Sequence, residues 1–286
     1  MPRVVLITND NKHGQRLLQT VWQRGIMLDA VLYLTGGFGL PERRGVGMVG
    51  KLLRWPKWSA LAVKRKLHFH RRRKASYAVR CQQVIATGGM NSRQLIRDLR
   101  ALAPDWIILG GGGILDPEVI ETARVGVLNV HPALLPWIRG CGITGASLEH
   151  GVALGSTLHY VDKGIDTGAI IERRLLSVSP GDRNLADLEL ACFELAAEMM
   201  ADTVEAIVRR GEVPKAVRQP TRFPLFRFAD AEAMRRHMAL AAAGRPHELY
   251  EAWRPLCVDP ERGLLPADAF DAPPTLALTP VSTATR

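Results

Sequence analysis

The sequence predicts an α/β fold with a doubly wound, mostly parallel sheet. Short buried apolar runs alternate repeatedly with helical patterns before residue 131, as expected for parallel strands joined by helices. The chain opens with an apolar strand at Val4–Ile7, a helix that stops at Gly25, and a second strand at Asp29–Leu34. This order implies a right-handed crossover between parallel strands. Such sheets bind ligands at the carboxyl ends of their strands.

The remaining elements are predicted from the same patterns. Strands are expected where short apolar runs are bounded by turn residues. These runs are Gln83–Thr87, Asp105–Leu109, Val125–Val130, Ser156–Val161 and Ile170–Val178. Helices are expected where apolar residues recur at helical spacing. These stretches are Ser92–Leu102, a helix that begins at Asp116-Pro117, and a long helix from Asn184 to about Arg210.

The pattern divides the chain into a large catalytic domain and a C-terminal part. Residues 1–212 form the predicted domain, with a basic insert at about 41–80. Residues 213–263 are predicted to form a small, mainly helical extension, with helices at Ala229–Ala243 and around His247–Trp253. Residues 264–286 are rich in Pro, Ala and Thr without a period, which is typical of a flexible tail.

The positive charge is concentrated in the insert. The formal net charge is +10, yet residues 41–80 alone contain 13 Lys or Arg and one acid, so the rest of the chain is close to neutral. Three explanations stay open for this segment: solvated cations, a site for a polyphosphate such as a nucleotide or RNA, and contact with a membrane surface. Its aromatic residues suit all three; they are Trp55, Trp58, Phe69 and Tyr77.

We expect a cytoplasmic protein without a metal. No apolar run approaches the roughly 20 residues that cross a bilayer, so no transmembrane segment is predicted. The apolar start at Val4–Ile7 is too short for a secretory signal. The four cysteines have no CxxC spacing and no histidine-rich pattern beside them, so reduced thiols are expected. A homodimer is compatible with the sequence.

Three polar side chains stand at predicted strand ends and loops. Asn129 and His131 close the strand at Val125–Val130, and Asp166 lies in the glycine-flanked loop after Ser156–Val161. Taken singly, each has an ordinary explanation as a turn former, a structural histidine or a carboxylate that binds backbone amides. The triplet that begins at Asp166 also matches aspartic proteases. That chemistry needs two such carboxylates, and the chain has one such triplet.

Together, these three residues suit acyl transfer to an amine. The developing oxyanion needs a donor, and the amine proton needs an acceptor. Asn129 can donate through its amide, His131 can shuttle a proton near neutral pH, and Asp166 can favour the protonated imidazole and order a water. Because no Ser or Cys lies in a recognisable nucleophile elbow, direct transfer is predicted. Dinucleotide binding is not supported, because Gly110–Gly113 lacks the GxGxxG pattern.

Five short motifs follow one another between residues 129 and 168. They are Asn129-Val130-His131-Pro132, Leu135-Pro136, Arg139-Gly140, Gly155-Ser156-Thr157-Leu158-His159 and Gly164-Ile165-Asp166-Thr167-Gly168. In order and spacing they resemble the formyltransferases that use 10-formyltetrahydrofolate, and the resemblance covers about residues 3–210. It implies the formyltransferase variant of the Rossmann fold, with 10-formyltetrahydrofolate as a co-substrate.

The resemblance also implies roles for individual residues. Asn129, His131 and Asp166 would be the catalytic trio, with the acceptor amine attacking the formyl carbon directly. Backbone groups would line the pterin pocket at Gly110, Gly111, Gly112, Gly113, Ile114 and Leu115. The other side of the pocket would be closed by Val161, Asp162, Gly164 and Ile165. Thr157 would support Asp166 or the reactive water.

The acceptor amine stays open. The run Thr157–Gly168 is most similar to formyltransferases of nucleotide-linked amino sugars, whose diphosphate would suit the basic insert. The glycinamide ribonucleotide enzymes carry a Gly-x-Gly-Ser-Asn loop where this chain has Thr8–Gly14, and the methionyl-tRNA enzymes carry a C-terminal β-barrel where this chain is predicted helical. A small-molecule amine, with or without phosphate, is therefore favoured over nucleic acid. Hydroxyornithine-type amines, hydrolysis of formyl-folate and a non-catalytic RNA- or membrane-binding role are further alternatives.

Overall fold

A computed structural model describes residues 1–9, 11–36, 77–111 and 113–270. The predicted basic insert lies outside these residues except for its last four, as do Gly112 and the tail beyond residue 270. The chain packs as two compact units. The first contains Met1–Asn129, Val161–Lys163 and Met200–Val213, and the second contains Val130–Tyr160, Gly164–Met199 and the residues from Pro214 onward.

The first unit is built on parallel strands. They are β1 (Val4–Thr8), β2 (Leu28–Leu34), β3 (Cys81–Thr87), β4 (Trp106–Gly110) and β5 (Gly126–His131), whose last two residues belong to the second unit. Hydrogen bonds set the strand order β3–β2–β1–β4–β5. The chain order reverses between β1 and β4, and ligand crevices in such sheets lie outside the carboxyl ends of the strands at that point.

Side-chain caps begin two of the three described helices of the first unit. These helices are α1 (Lys12–Gln23), α2 (Arg93–Leu102) and the short α3 (Pro117–Ile120). The side-chain oxygen of Asn11 accepts the N–H of Gly14 at 2.7 Å, and that of Ser92 accepts the N–H of Leu95 at 3.1 Å. Such caps satisfy amides that have no partner within the first turn. The buried face of α2 then packs into the core through Leu95 and its neighbours.

The second unit combines short strands with helices. Its strands β7 (Gly155–Tyr160), β8 (Ile170–Leu175) and β10 (Leu264–Leu265) pair antiparallel, and β6 (Arg139–Gly140) pairs parallel with β9 (Leu225–Phe226). Its helices are α4 (Ile143–Glu149), α5 (Leu185–Glu205), α6 (Ala231–Ala242) and α7 (Arg245–Trp253). The last turns of α5, from Met200, belong to the first unit and continue into a π-helical turn at Ala206–Arg210.

A buried arginine ties the C-terminal residues of the second unit to its interior. Arg173 on β8 is fully buried. Its guanidinium donates to the carbonyl oxygen of Leu135 at 3.2 Å, to that of Ala269 at 2.9 Å and to that of Pro266. It also lies over the rings of Trp137 and Phe270, at 4.8 and 5.4 Å from their centroids. Burial lowers its pKa to about 10 although the nearby Asp268 acts to raise it.

The predicted α/β class is confirmed. The strand pairs of the first unit are parallel, whereas those of β7, β8 and β10 are antiparallel, so the described strands are mixed and mostly parallel. The two predicted C-terminal helices are present as α6 and α7. Strand β8 ends at Leu175, three residues earlier than predicted. The division predicted at residue 212 stays a prediction.

Candidate active site

His131 lies at the end of β5, where its ring is buried and the position of one ring proton is determined by a hydrogen bond. The side chain is 5% exposed. Its Nε2 lies 2.9 Å from the carbonyl oxygen of Ile138. Because a carbonyl oxygen can only accept, Nε2 carries the proton. The other ring nitrogen, Nδ1, lies 3.7 Å from Oδ2 of Asp166, so it faces a carboxylate rather than solvent.

The loop after β7 places the Asp166 carboxylate between two imidazoles. Its Oδ2 accepts the backbone N–H of Gly140 at 2.9 Å and faces His131. Its Oδ1 lies 3.9 Å from Nε2 of His159, which is 2% exposed. The Nδ1 of His159 lies 2.8 Å from the carbonyl oxygen of Tyr160 and donates to it. Both imidazoles are therefore fixed through one nitrogen and present the other towards Asp166.

Opposing effects act on the ionisation of Asp166. Burial raises the pKa of its carboxyl group, because the charged form loses solvation. The attraction of His131 and His159, the N–H of Gly140 and the charge of Arg139 act in the other direction and outweigh burial. The pKa of Asp166 consequently lies below its ordinary value, and the side chain is a carboxylate at neutral pH.

Arg139 holds the Asp166 loop from the side of β6. Its Nε and Nη2 donate to the carbonyl oxygen of Ile165 at 3.1 and 2.9 Å. Asp166 itself has a left-handed backbone with φ 52°. A residue with a side chain adopts this conformation at a cost, and such strain collects at functional sites when the surroundings enforce it. The loop conformation is thus imposed by its contacts.

The other two predicted participants lie on the strands that carry the histidines: Asn129 is on β5 and Thr157 is on β7. Asn129 precedes His131 by two residues on β5, so strand alternation directs both side chains to the same face. Thr157 is fully buried on β7, and its hydroxyl accepts the N–H of Leu135 at 2.9 Å and donates to the carbonyl of Ala133 at 2.8 Å. Thr157 therefore fixes the loop after His131. Its predicted support of Asp166 or a water stays a prediction.

These contacts can now be compared with known proteins. A family model described as formyl transferase matches residues 61–204, which is half of the chain. The chain belongs to the formyl transferase family. A methionyl-tRNA formyltransferase from Syntrophomonas wolfei is 28% identical to this family member over 137 residues, which cover 47% of this chain and 43% of that protein. The match thus spans less than half of that relative's length.

Solved structures show the same fold. A sugar N-formyltransferase from a Shewanella species is 13% identical and covers 84% of this chain and 87% of its own, with a TM-score of 0.53. An N-formyltransferase from Helicobacter canadensis, solved with folinic acid and dTDP-3-aminofucose, is 14% identical and covers 85% and 81%, with a TM-score of 0.52. The formyltransferase-like fold predicted from the sequence is confirmed.

The predicted pterin-lining segment follows β4 at the point where the strand order reverses. Gly110 and Gly111 have no room for a side chain, because a Cβ would lie 2.9 Å from the Cα of Gly14 and 2.1 Å from the Asn11 amide. Packing against the start of α1 therefore explains both glycines. Further on, the Asn91 amide bridges the carbonyl of Ile114, at 2.9 Å, and the N–H of Asp116, at 3.0 Å, which fixes the irregular backbone between them.

The residues predicted to close the other side of the pterin pocket belong partly to the first unit and partly to the second. In the first unit, the N–H of Val161 donates to the carbonyl of Val127 at 2.8 Å, and Asp162 is exposed. In the second unit, Gly164 and Ile165 precede Asp166, and a Cβ on Gly164 would lie 2.0 Å from the hydroxyl of Thr167. Gly164 is thus required by its own turn. Folate contacts for these residues and for Leu115 stay predictions.

The described residues contain neither a cluster suited to a metal ion nor a helix suited to span a membrane. In residues 1–9, 11–36, 77–111 and 113–270, no group of three or more His, Cys, Asp or Glu side chains is placed to hold a metal ion. Within the same ranges, no helix has the length and apolar content needed to span a bilayer.

Several groups around Asp166 have roles that the sequence did not predict. His159 lies two residues after Thr157 on β7. Because side chains alternate along a strand, this spacing alone could have predicted that both residues lie on one face. Arg139 and Gly140 form one of the sequence motifs, but their contacts with Ile165 and Asp166 depend on how the loop at 139–140 packs against the loop at 164–168. Gln219, whose amide donates to the carbonyl oxygens of Asp166 and Gly168, lies in a stretch with no periodic pattern.

Proposed function

We propose that this protein is an N-formyltransferase that moves the formyl group of 10-formyltetrahydrofolate to an acceptor amine by direct attack. The observation that carries the proposal is the Asp166 carboxylate held between the buried imidazoles of His131 and His159. Family membership supports it, since folate-dependent formyl transfer is the chemistry that the sequence motifs imply. Because the matched relatives are longer than the shared stretch, activity and substrates are proposals for this chain.

The residues of this chain supply proton handling and charge stabilisation. Direct attack forms a C–N bond between the amine and the formyl carbon and breaks the bond from that carbon to N10 of the donor. The amine loses a proton, and N10 of the departing tetrahydrofolate gains one. Asp166 stays ionised and holds His131 in the orientation in which Nε2–H is fixed on Ile138. The His131 ring can then share a proton on its Nδ1 side. The Asn129 amide, on the same face of β5, donates to the developing oxyanion.

The residues after β4 suit the folate co-substrate. A pterin ring presents alternating donors and acceptors, which irregular backbone can match. The segment from Gly113 to Leu115 has such backbone, fixed through Asn91, at the carboxyl end of the sheet where the strand order reverses. We assign the pterin to this segment, and when bound it supplies the formyl group. The neighbour from Helicobacter canadensis, solved with folinic acid, supports a folate as the co-substrate.

We propose a nucleotide-linked amino sugar as the acceptor. The motif around Asp166 is most similar to that of the amino-sugar enzymes, and the neighbour bound to dTDP-3-aminofucose has this fold. A second acceptor, the amine of methionyl-tRNA, is favoured by the matched relative of that name. The two acceptors differ in size and charge, so one assay separates them.

The test incubates the protein with 10-formyltetrahydrofolate and each of several amines. The panel is a nucleoside-diphosphate amino sugar, N-hydroxyornithine, glycinamide ribonucleotide and methionyl-tRNA, with an amine-free sample for hydrolysis. Tetrahydrofolate release and product mass are measured. We expect a product 28 mass units heavier, since formylation replaces a hydrogen with CHO, and about 10²–10⁴-fold loss in His131→Ala or Asp166→Asn.

A matched control guards against general damage. Asp230 caps α6 by accepting the N–H groups of Glu232 and Ala233, and Asn is an equally good cap. Asp230→Asn should therefore keep full activity. The proposal is overturned if the wild-type protein formylates none of the amines, or if Asp166→Asn transfers as fast as Asp230→Asn. Salt-sensitive RNA or anionic-lipid binding without turnover would instead support the non-catalytic role.

A further inference from the structure

We propose that the segment Pro214–Phe226, which lies beyond the predicted catalytic domain, is a working part of the site, and that Gln219 is a positioning residue that holds Asp166. This inference rests on the proposed function, because it gives Asp166 a catalytic task. The segment contains little regular structure of its own. Its conformation therefore depends on side chains and backbone groups around the Asp166 loop.

The Gln219 amide grips the Asp166 loop directly. The side chain is 8% exposed, and its Nε2 donates to the carbonyl oxygen of Asp166 at 3.1 Å and to that of Gly168 at 2.6 Å. An amide nitrogen has two protons, and two carbonyl oxygens can only accept, so the amide orientation is determined by its partners. Both donors thus act on a backbone turn whose residue 166 is left-handed.

The oxygen of the Gln219 amide indicates that this side chain does more than fill space. Among the described residues, the buried Oε1 of Gln219 has no hydrogen-bond partner. Burying an acceptor without a partner costs free energy, because the group loses its hydrogen bonds to water. An apolar side chain of similar size would avoid this cost. The amide is therefore explained by what its two donors hold in place.

The same segment also holds the second loop that contacts the carboxylate. Arg139 donates through Nη1 to the carbonyl oxygens of Thr221, at 3.2 Å, and Phe223, at 3.1 Å, while its other nitrogens hold Ile165. The N–H of Cys141 donates to the carbonyl of Phe226 at 3.1 Å. Gly140, between these two anchors, donates its N–H to Asp166.

The segment Pro214–Phe226 therefore holds both loops that position the Asp166 carboxylate. Gln219 sets the backbone of Asp166, and the contacts at 221, 223 and 226 set the N–H that binds its Oδ2. A backbone bridge between Val217 and Ile170 fixes the start of the segment on β8. A displacement of the loop by about 1 Å can cost 10²-fold in rate. Loss of the Gln219 donors should thus act on catalysis more than on folding.

The test compares Gln219→Met, which keeps size and removes both donors, with Gln219→Glu. Gln94→Met is the matched control, because Gln94 is exposed on α2 and Met is a good helix former. We expect Gln219→Met to lower kcat by about 10- to 100-fold with a smaller change in KM. In Gln219→Glu, activity relative to wild type should rise as pH falls, because only the protonated carboxyl can donate to a carbonyl.

A second readout does not depend on turnover. The groups that face Asp166 are His131, His159, Arg139 and Cys141. If Gln219 holds the carboxylate among them, Gln219→Met should raise the pKa of Asp166 towards its ordinary value, as measured by the ¹³C carboxyl resonance. A third readout does use turnover: in the active protein, the acid limb of the pH–kcat profile should move to higher pH in Gln219→Met.

The outcomes separate the two proposals. An active wild type with Gln219→Met indistinguishable from Gln94→Met in kcat and in the Asp166 titration overturns the positioning role and leaves formyl transfer standing. A wild type that formylates no amine, with the Asp166 titration shifted in Gln219→Met, overturns the function and leaves the contact standing. Equal activity of Gln219→Glu and wild type at all pH values also contradicts the inference.

Discussion

The hydroxyl of Thr157 provides a stability test within the second unit. The substitution Thr157→Val removes the hydroxyl and preserves the side-chain shape. In the wild-type protein this hydroxyl accepts the N–H of Leu135 and donates to the carbonyl of Ala133, and the residue is fully buried. The substitution leaves one donor and one acceptor of the backbone without their partner in the loop that follows His131.

The structure sets the size of the effect. Each buried polar group left unsatisfied costs about 1–3 kcal/mol, and two backbone groups lose their partner, so we expect the free energy of unfolding to fall by about 2–6 kcal/mol. Thr144 offers a matched control, because it is also buried and its hydroxyl has no hydrogen-bond partner among the described residues. Since Thr and Val have similar helix propensity, Thr144→Val should be close to neutral.

Urea denaturation followed by tryptophan fluorescence measures both variants. The midpoint of Thr157→Val should fall while the slope stays unchanged, which indicates a change in stability alone. Formyl transfer by the folded variant should also slow, because the loop next to His131 loses two anchors. An unfolding free energy for Thr157→Val within about 0.5 kcal/mol of that for Thr144→Val, the range of ordinary surface changes, refutes the assignment of these hydrogen bonds.

Three further predictions concern other contacts. The pKa of Asp166 is lowered in the folded protein, so its stabilisation is present above its ordinary value of 3.8 and lost as pH falls through the folded value; Asp166→Asn should flatten the decrease of Tm over this acid range, and an unchanged slope contradicts the sign. Gly140 has φ 94°, and a Cβ there would lie 2.3 Å from the carbonyl oxygen of Phe226, so Gly140→Ala should lower both Tm and kcat; wild-type kinetics would exclude the steric conflict. Arg173→Met should reduce the unfolding free energy by about 2–4 kcal/mol through its lost carbonyl contacts, whereas the exposed Arg183→Met should change the denaturation midpoint little, and equal midpoints would count against the buried clamp.

The sequence contained the signals for the strands and for part of the site. Apolar runs and caps predicted β1 to β5 and the helices between them, because local periodicity and capping depend on neighbouring residues. His131 and Asp166 were predicted from motifs at strand ends, and the structure brings Nδ1 and Oδ2 to 3.7 Å. The position of Asn129 relative to the carboxylate stays a prediction, as do the folate contacts.

The hydrogen bonds of Gln219 with the Asp166 loop could not be predicted from local sequence patterns. Gln219 lies 53 residues after Asp166, and a single amide in an extended stretch has neither helical nor strand periodicity. Its role follows from the path of the segment across the Asp166 loop, which only tertiary structure defines. The same holds for the partner of His159, since strand alternation gives the face of a side chain but not what lies opposite.

The clamp around Arg173 has a consequence for biosynthesis. The guanidinium joins the carbonyl of Leu135, four residues after His131, to carbonyl groups at Pro266 and Ala269. The ribosome adds Leu135 and Arg173 long before residues 266–269. A nascent chain therefore contains Arg173 before its last carbonyl partners have been synthesised. The full set of contacts that Arg173 makes beside this loop can form only when residues 266–269 have left the ribosomal tunnel. Nascent chains stalled before that point should be more sensitive to protease around residue 135 than the released protein.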